Sequence, residues 1–119
     1  MTELLPNGVN GVVHARDAIV PLVAVPADQI ATGSPRQGLI EIGTVGGSET
    51  GIWELRGGAV LDTEVDEVFV VIAGNATIEL LDEGRTVEVK TGDVMRLVAG
   101  TRTRWTVPDR IRKIYIASE

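Results

Sequence analysis

Asp66-Glu67-Val68-Phe69-Val70-Val71-Ile72-Ala73-Gly74-Asn75-Ala76-Thr77-Ile78-Glu79-Leu80 is the stretch whose reading decides the fold. Two runs of β-branched and apolar residues flank Gly74-Asn75. Such runs favour a pleated, half-buried surface. The pair between them predicts a two-residue hairpin turn. Along the first run, Glu67, Phe69 and Val71 fall on one face, because side chains alternate along a strand.

Outward from this stretch the same grammar repeats. C-terminal to it, Asp82-Glu83-Gly84 is a turn, and strands are predicted over 85–89, 93–98, 102–107 and 110–117. N-terminal to it, Leu39 to Val45 and Gly51 to Leu55 read as strands. Gly46-Gly47-Ser48-Glu49 and Gly57-Gly58 read as the turns beside them. Residues 31–37 read as a loop, and Pro26 to Ile30 as one short helical turn. Ile19 to Val25 is apolar, but Pro21 breaks it, which suits an edge strand. Residues 1–17 carry the turn signals Asn7-Gly8 and Asn10-Gly11 and read as an arm. Helical periodicity is nearly absent. Short strands at near-even spacing predict an all-β, antiparallel sandwich or barrel. One domain is expected, with residues 1–37 as its arm and edge strand and 38–119 as the barrel.

Composition bounds the function. A chain of 119 residues can bury roughly two-thirds of its unfolded surface without staples. It has no cysteine, so disulfides and thiolate metal sites are excluded. Its apolar runs are too short to span a bilayer as helices. The N-terminus shows no basic region followed by an apolar segment, so no secretory signal is read and the cytoplasm is the expected location. The net charge of −6 argues against a nucleic-acid partner, whose phosphates are held mostly by Lys and Arg. Basic residues do gather late, at Arg102, Arg104, Arg110, Arg112 and Lys113. They read first as solvated surface and second as an anion site.

The residues quoted so far carry a family resemblance. Glu67 followed after six residues by Gly74 resembles the end of the first cupin motif. Gly92-Asp93, with Gly100 eight positions after Gly92, resembles the second. Gly51-Ile52-Trp53-Glu54, Asp66-Glu67, Trp105 and Arg112-Lys113-Ile114-Tyr115 look more narrowly like small single-domain cupins related to ureidoglycine aminohydrolase. The resemblance covers about Leu39 to Ile116. It implies a double-stranded β-helix, or jelly-roll barrel, with a central pocket. It also implies a metal held by two histidines ahead of the motif glutamate and a third after the second motif's glycine. Here residues 60–66 contain no histidine, and the third position is Thr103. His14, the one histidine, lies in the arm. Asp62, Glu64 and Glu67 offer only oxygen ligands, and oxygen sites need several convergent groups. No metal and no cofactor are therefore expected.

The candidate pocket residues follow from parity and chemistry. Glu67, if it faces the barrel, is partly desolvated and suited to acid–base work; its alternative is an ion pair with Lys113 or an arginine. Trp53 and Trp105 either stack on a ligand or pack in the core. Trp105 shares its face with Thr103. Lys113 and Tyr115 share one face of the last strand, where Lys113 either receives a ligand carboxylate or pairs with an acid at the barrel mouth. Phe69 completes the lining set of Trp53, Glu67, Phe69, Thr103, Trp105, Lys113 and Tyr115. The expected function is metal-free binding of a small polar or carboxylate-bearing metabolite. The alternative is a hydrolase, isomerase or lyase using Glu67. No nucleic-acid or membrane partner is expected. A homodimer is expected, because pairing across a twofold axis covers exposed edges.

Overall fold

Side-chain alternation builds this molecule almost unaided. In the computed structural model, which describes residues 3–118, Glu67, Phe69 and Val71 are buried and their neighbours Val68 and Val70 are half-buried. Met1 and Thr2, counted with the arm, and Glu119, counted with the barrel, lie outside the described residues. The strands are β1 (Val23–Ala24), β2 (Ile30–Val45), β3 (Ser48–Thr63), β4 (Glu67–Leu80), β5 (Arg85–Lys90), β6 (Val94–Leu97) and β7 (Arg102–Ser118). A single 3₁₀ turn, Ala27–Gln29, stands where the short helical turn is predicted. Among the described residues no helix is long and apolar enough to cross a membrane.

All pairing is antiparallel, and the hydrogen-bonded order is β1-β2-β3-β7-β4-β5, with β6 also on β4. Four strands of fourteen or more residues run through the whole molecule. They bend sharply, so the one sheet rolls around its own apolar face as a jelly roll. Inside the roll lies a core of Leu55, Phe69, Val71, Ile78, Leu97, Trp105, Val107, Ile111 and their neighbours. Outside it lies a second, smaller cluster. There Val20, Ile42 and Ile52 meet Leu5, Val13 and Leu22 of the arm. The amides of Leu4 and Leu5 donate to the carbonyls of Glu41 and Ile42, fastening the arm along β2.

The long strands correct several turn and loop expectations. Gly74-Asn75 is no hairpin; β4 runs straight through it. Gly74 has φ +74°, and a Cβ there would collide with the Arg110 carbonyl oxygen. Gly74 lies between two irregularities: β4 carries an extra residue, Ile72, between its pairings Val71–Lys113 and Ala73–Arg112, and the register shifts again between Gly74 and Thr77. The bulge shifts the buried positions from 67, 69, 71 to 76, 78, 80. Gly57-Gly58 likewise lies inside β3, where the bulge belongs to β7: Pro108 and Asp109 together stand opposite Gly57. That irregularity accommodates a proline without an N–H, so 102–107 and 110–117 form one strand rather than two. Residues 31–37 are strand, not loop, bulged between Gly33 and Arg36. In each case a glycine or proline punctuates the ladder without ending it. Gly46-Gly47, by contrast, does close a tight hairpin, with Val45 opposite Ser48.

Candidate functional site

Three strands deliver the site. On β7, Arg112 faces outward and Lys113 inward. Lys113 lies opposite Trp53 of β3 on one side and Val71 of β4 on the other. Beyond the β7 bulge at Pro108 and Asp109, Trp105 lies opposite Val60, and Thr103 opposite Asp62. On β4, Phe69 is level with Tyr115.

The centre of the arrangement is the Lys113 ammonium. Its Nζ donates to Glu67 Oε1 at 2.5 Å, and both side chains are more than nine-tenths buried. The same nitrogen lies 4.5 Å from the centroid of Phe69 and 4.8 Å from those of Trp53 and Trp105. These separations fall within the range in which a ring's negative face attracts a cation. The rings also brace one another. Trp53 meets Trp105 edge to face at 5.2 Å, and Phe69 meets Trp105 at 5.5 Å. Sequence reasoning singles out Glu67, Lys113, Trp53, Trp105 and Phe69 separately; the structure gathers them around one atom.

A second group sits beside it. Glu64 is buried, and its Oε2 accepts hydrogen bonds from Thr103 Oγ1 at 2.6 Å and Trp105 Nε1 at 3.0 Å. The backbone of Glu64 is tied to Thr101 and Gly100, which fixes the carboxylate's approach. Asp62, two residues back, opens to the cavity. Partial desolvation pushes its carboxyl up to about 6, and the nearby Glu64 charge adds to the rise. Tyr115 is pushed up to about 12 by burial and by the charges of Glu49, Glu41 and Glu67, so its phenol remains a donor at neutral pH. Gly51 lies opposite Tyr115, and a Cβ at Gly51 would collide with the phenol. A glycine there lets the ring lie flat.

Above these groups is a cavity of about 390 Å³, walled chiefly by Trp53, Asp62, Glu64, Glu67, Lys113 and Tyr115. Trp105 also borders it. Phe69 and Thr103 are not on its wall. Phe69 lies beneath the ammonium, and Thr103 lies behind Glu64. A second hollow, of about 460 Å³, lies across Asp62 and Thr63 and is bounded by exposed residues such as Gln29, Leu81 and Arg102. Its larger volume carries little chemistry, so the first cavity is the candidate site. In the sequence Glu64 offers itself only as an oxygen ligand for a metal. Its spacing of two residues from Asp62 is the signal that places both on the pocket side.

The late basic residues divide between faces, and the surface reading fails for two of them. Arg102 and Arg104 are exposed, paired with Asp82 and Glu79. Arg110 and Arg112 reach outward to Glu54, and Arg112 is buried there, as Lys113 is inside. Burial is possible because each buried cation has a carboxylate within reach.

The residues do not fit the metal that the cupin resemblance implies. Imidazoles are missing from residues 60–66. His14 is exposed on the arm. The motif glutamate is already engaged by an ammonium. Among the described residues no group of three His, Cys, Asp or Glu side chains converges to hold an ion.

Residues 43–115 match the family described as the EutQ-like cupin domain. The EutQ protein of Clostridium difficile has a similar structure, with TM-score 0.64 and 23% identity over 81% of this chain and 80% of that one. So does a protein of unknown function from Pseudomonas syringae pv. tomato, with TM-score 0.72 and 19% identity over 87% of this chain and 46% of that one. A cupin-2 domain protein of Shewanella frigidimarina gives TM-score 0.59 and 16% identity over 69% and 80%. At these identities the likeness is one of fold. No curated protein matches the chain.

Proposed function

We start from a chain that belongs to the EutQ-like cupin domain family, and we propose that its barrel binds a small, uncharged polar molecule. The supporting observation is the cavity of about 390 Å³ whose floor is a neutralised ion pair and whose walls offer hydrogen-bonding groups. Lys113 and the Tyr115 hydroxyl supply donors. Asp62 and Glu64 supply acceptors. The Trp53 ring supplies an apolar face. A ligand with several hydroxyl or amide groups satisfies such a wall, and mixed polar and aromatic linings are what small-molecule sites use. The carboxylate-bearing ligand is the weaker of the two kinds expected from the sequence. The charge of Lys113 is already matched by Glu67, while Asp62, Glu64 and Glu49 line the cavity, so an anionic ligand meets like charge.

A second reading is enzymatic, and one feature favours it: Asp62 stands on an open wall of the cavity, with its carboxyl pushed up to about 6 by partial desolvation. A group so placed suits proton transfer at physiological pH. In that reading Asp62 carries the acid–base step and Glu67 does not, because Lys113 holds Glu67. A homodimer is proposed alongside, with the arm and edge strand β1 as the surfaces to be covered, and sedimentation tests it.

The test is a stability screen with neutral polyols, sugars and amides beside matched carboxylates. A ligand that binds only the folded state raises stability by mass action, by about 2.7 kcal/mol at a hundred times its dissociation constant. Neutral polar compounds are expected to raise the melting temperature, and Trp53→Ala and Asp62→Ala are expected to abolish the rise. Stabilisation that persists in both variants places the ligand elsewhere and ends the proposal. Turnover of a stabilising compound, lost in Asp62→Asn while binding persists, decides for the enzyme.

A further inference from the structure

The chain contains four aromatic residues, and three of them turn their ring faces to a single nitrogen. Those three rings come from three different strands: Trp53 from β3, Phe69 from β4 and Trp105 from β7. Among the described residues, the one carboxylate in salt-bridge contact with that nitrogen, Glu67, comes from β4. Lys113 itself occupies an inward position between Ile111 and Tyr115, where the alternation of β7 from Trp105 onward otherwise delivers apolar or aromatic residues to the core. Aromatic faces around a cation form the construction by which proteins recognise quaternary ammonium groups; here a carboxylate closes it around a primary one.

We propose that the interior of this barrel is a receptor for a primary alkylammonium ion, and that the chain fills it itself with Lys113. The occupant is covalently tethered, so its local concentration is fixed and it needs no exchange with solvent. The cage supplies what water would otherwise supply to the ammonium, and Glu67 balances its charge. The ligand pocket above shares Trp53, Trp105, Glu67 and the lysine head with the cage, and Phe69 closes it from beneath. The inference rests on these contacts and not on the identity of any ligand in that pocket.

The decisive property of a tethered occupant is that it can be replaced by an untethered one. Lys113→Ala removes Cγ, Cδ, Cε and Nζ, which together make n-propylammonium. The test titrates wild type, Lys113→Ala and Lys113→Met with n-propylammonium chloride, and in parallel with 1-propanol, sodium propionate and sodium chloride. Thermal melting and calorimetric binding are the readouts. The expected result is saturable binding and a raised melting temperature for Lys113→Ala with n-propylammonium alone, and no response from wild type, whose cage is full. Lys113→Met, which fills the volume without the charge, is expected to melt below wild type and to ignore the amine. Adding Phe69→Leu to Lys113→Ala is expected to weaken amine binding by about tenfold. Equal stabilisation of Lys113→Ala by 1-propanol overturns the proposal, because the space is then merely apolar. A Lys113→Met protein as stable as wild type overturns it as well, and so does the absence of any response to the amine. If Lys113→Ala does not fold alone, refolding with n-propylammonium against sodium chloride decides: recovery with the amine only supports the cage, and no recovery counts against it.

Discussion

Two buried clusters of charge lie back to back across one sheet, and they are built on opposite plans. On the outer face a single carboxylate, Glu54, sits among three guanidiniums: Arg56 at 2.6 Å, Arg112 at 2.7 Å and Arg110 at 3.0 Å. On the inner face a single ammonium, Lys113, sits among three rings and one carboxylate. Strand alternation alone separates them, since Glu54 and Arg112 face each other across the β3–β7 ladder one rung from Trp53 and Lys113. In the outer cluster Arg112 turns its donors to the protein, while Arg110 Nε is buried without a partner among the described residues. Arg112 Nη1 also donates to the carbonyls of Ala15 and Arg16, holding the arm. The inner cluster borders a cavity and leaves acidic oxygens facing it. The lesson is that burial of charge does not by itself mark a functional site. What marks one here is buried charge next to space.

The contrast can be broken most forcefully from outside. Glu54→Ala strands three guanidiniums without their shared anion and frees the arm. The expected loss is about 3–5 kcal/mol in denaturant unfolding. A loss under about 1 kcal/mol reduces the outer cluster to surface decoration. Inside, Lys113→Met leaves Glu67 without its partner and is expected to cost about 3 kcal/mol. Adding Glu67→Gln should recover most of that, since a buried ion pair can often be replaced by uncharged groups at little cost. No such recovery is expected for Glu54 and Arg112 exchanged together, because the arm's two carbonyls then lose their donor.

Smaller effects sharpen the comparison. Trp105→Phe keeps the ring over Lys113 but removes the N–H given to Glu64. It is expected to cost about 1.5 kcal/mol, as for a hydrogen bond to a charged group. Equal stability in the variant separates Glu64 from the cage. Smallest is Asp62→Asn, and here the sign matters. The folded Asp62 binds its proton more tightly than the unfolded chain does, titrating at about 6 against an ordinary value of 3.8. Its contribution therefore lowers stability as pH rises from about 4 to about 6, and is constant above. Asp62→Asn should erase that slope and gain at most about 1 kcal/mol at pH 7, after discounting for the solvent that reaches this open side chain. Glu54 runs the other way. Burial raises its carboxyl, but hydrogen bonds from Arg112 and Arg56 and the charges of Arg112 and Arg110 outweigh this and hold it below the ordinary range. Its stabilisation is present above about pH 4.5 and is lost as pH falls through the lowered folded value. Melting curves from pH 3 to pH 7 for the two single variants read both slopes.

Much of the fold is legible in the chain because alternation is local. The inward positions of Glu67, Phe69, Thr103, Trp105, Lys113 and Tyr115 follow from period-two parity on strands that the apolar runs reveal. The bulges are not legible in the same way. Gly74-Asn75 looks like a hairpin turn, since the same glycine that suits a turn also suits a positive-φ bulge. Only the close approach of the Arg110 carbonyl distinguishes them, and that depends on a strand far along the chain. The outer cluster is hidden for a related reason. Glu54 and Arg112 are ordinary surface residues until the β3–β7 register sets them opposite each other. Glu64 lies between β3 and β4 rather than within either, so strand parity alone does not predict its bonds to Thr103 and Trp105.

The anchoring of the arm has a mechanical meaning. The guanidinium that grips Ala15 and Arg16 belongs to the residue immediately before the one carrying the interior ammonium. Between the outer skin and the floor of the cavity, the shortest covalent route is one peptide bond. The N-terminal strap is therefore tied to β7 at the rung where the cage is assembled, one residue from the ammonium it encloses.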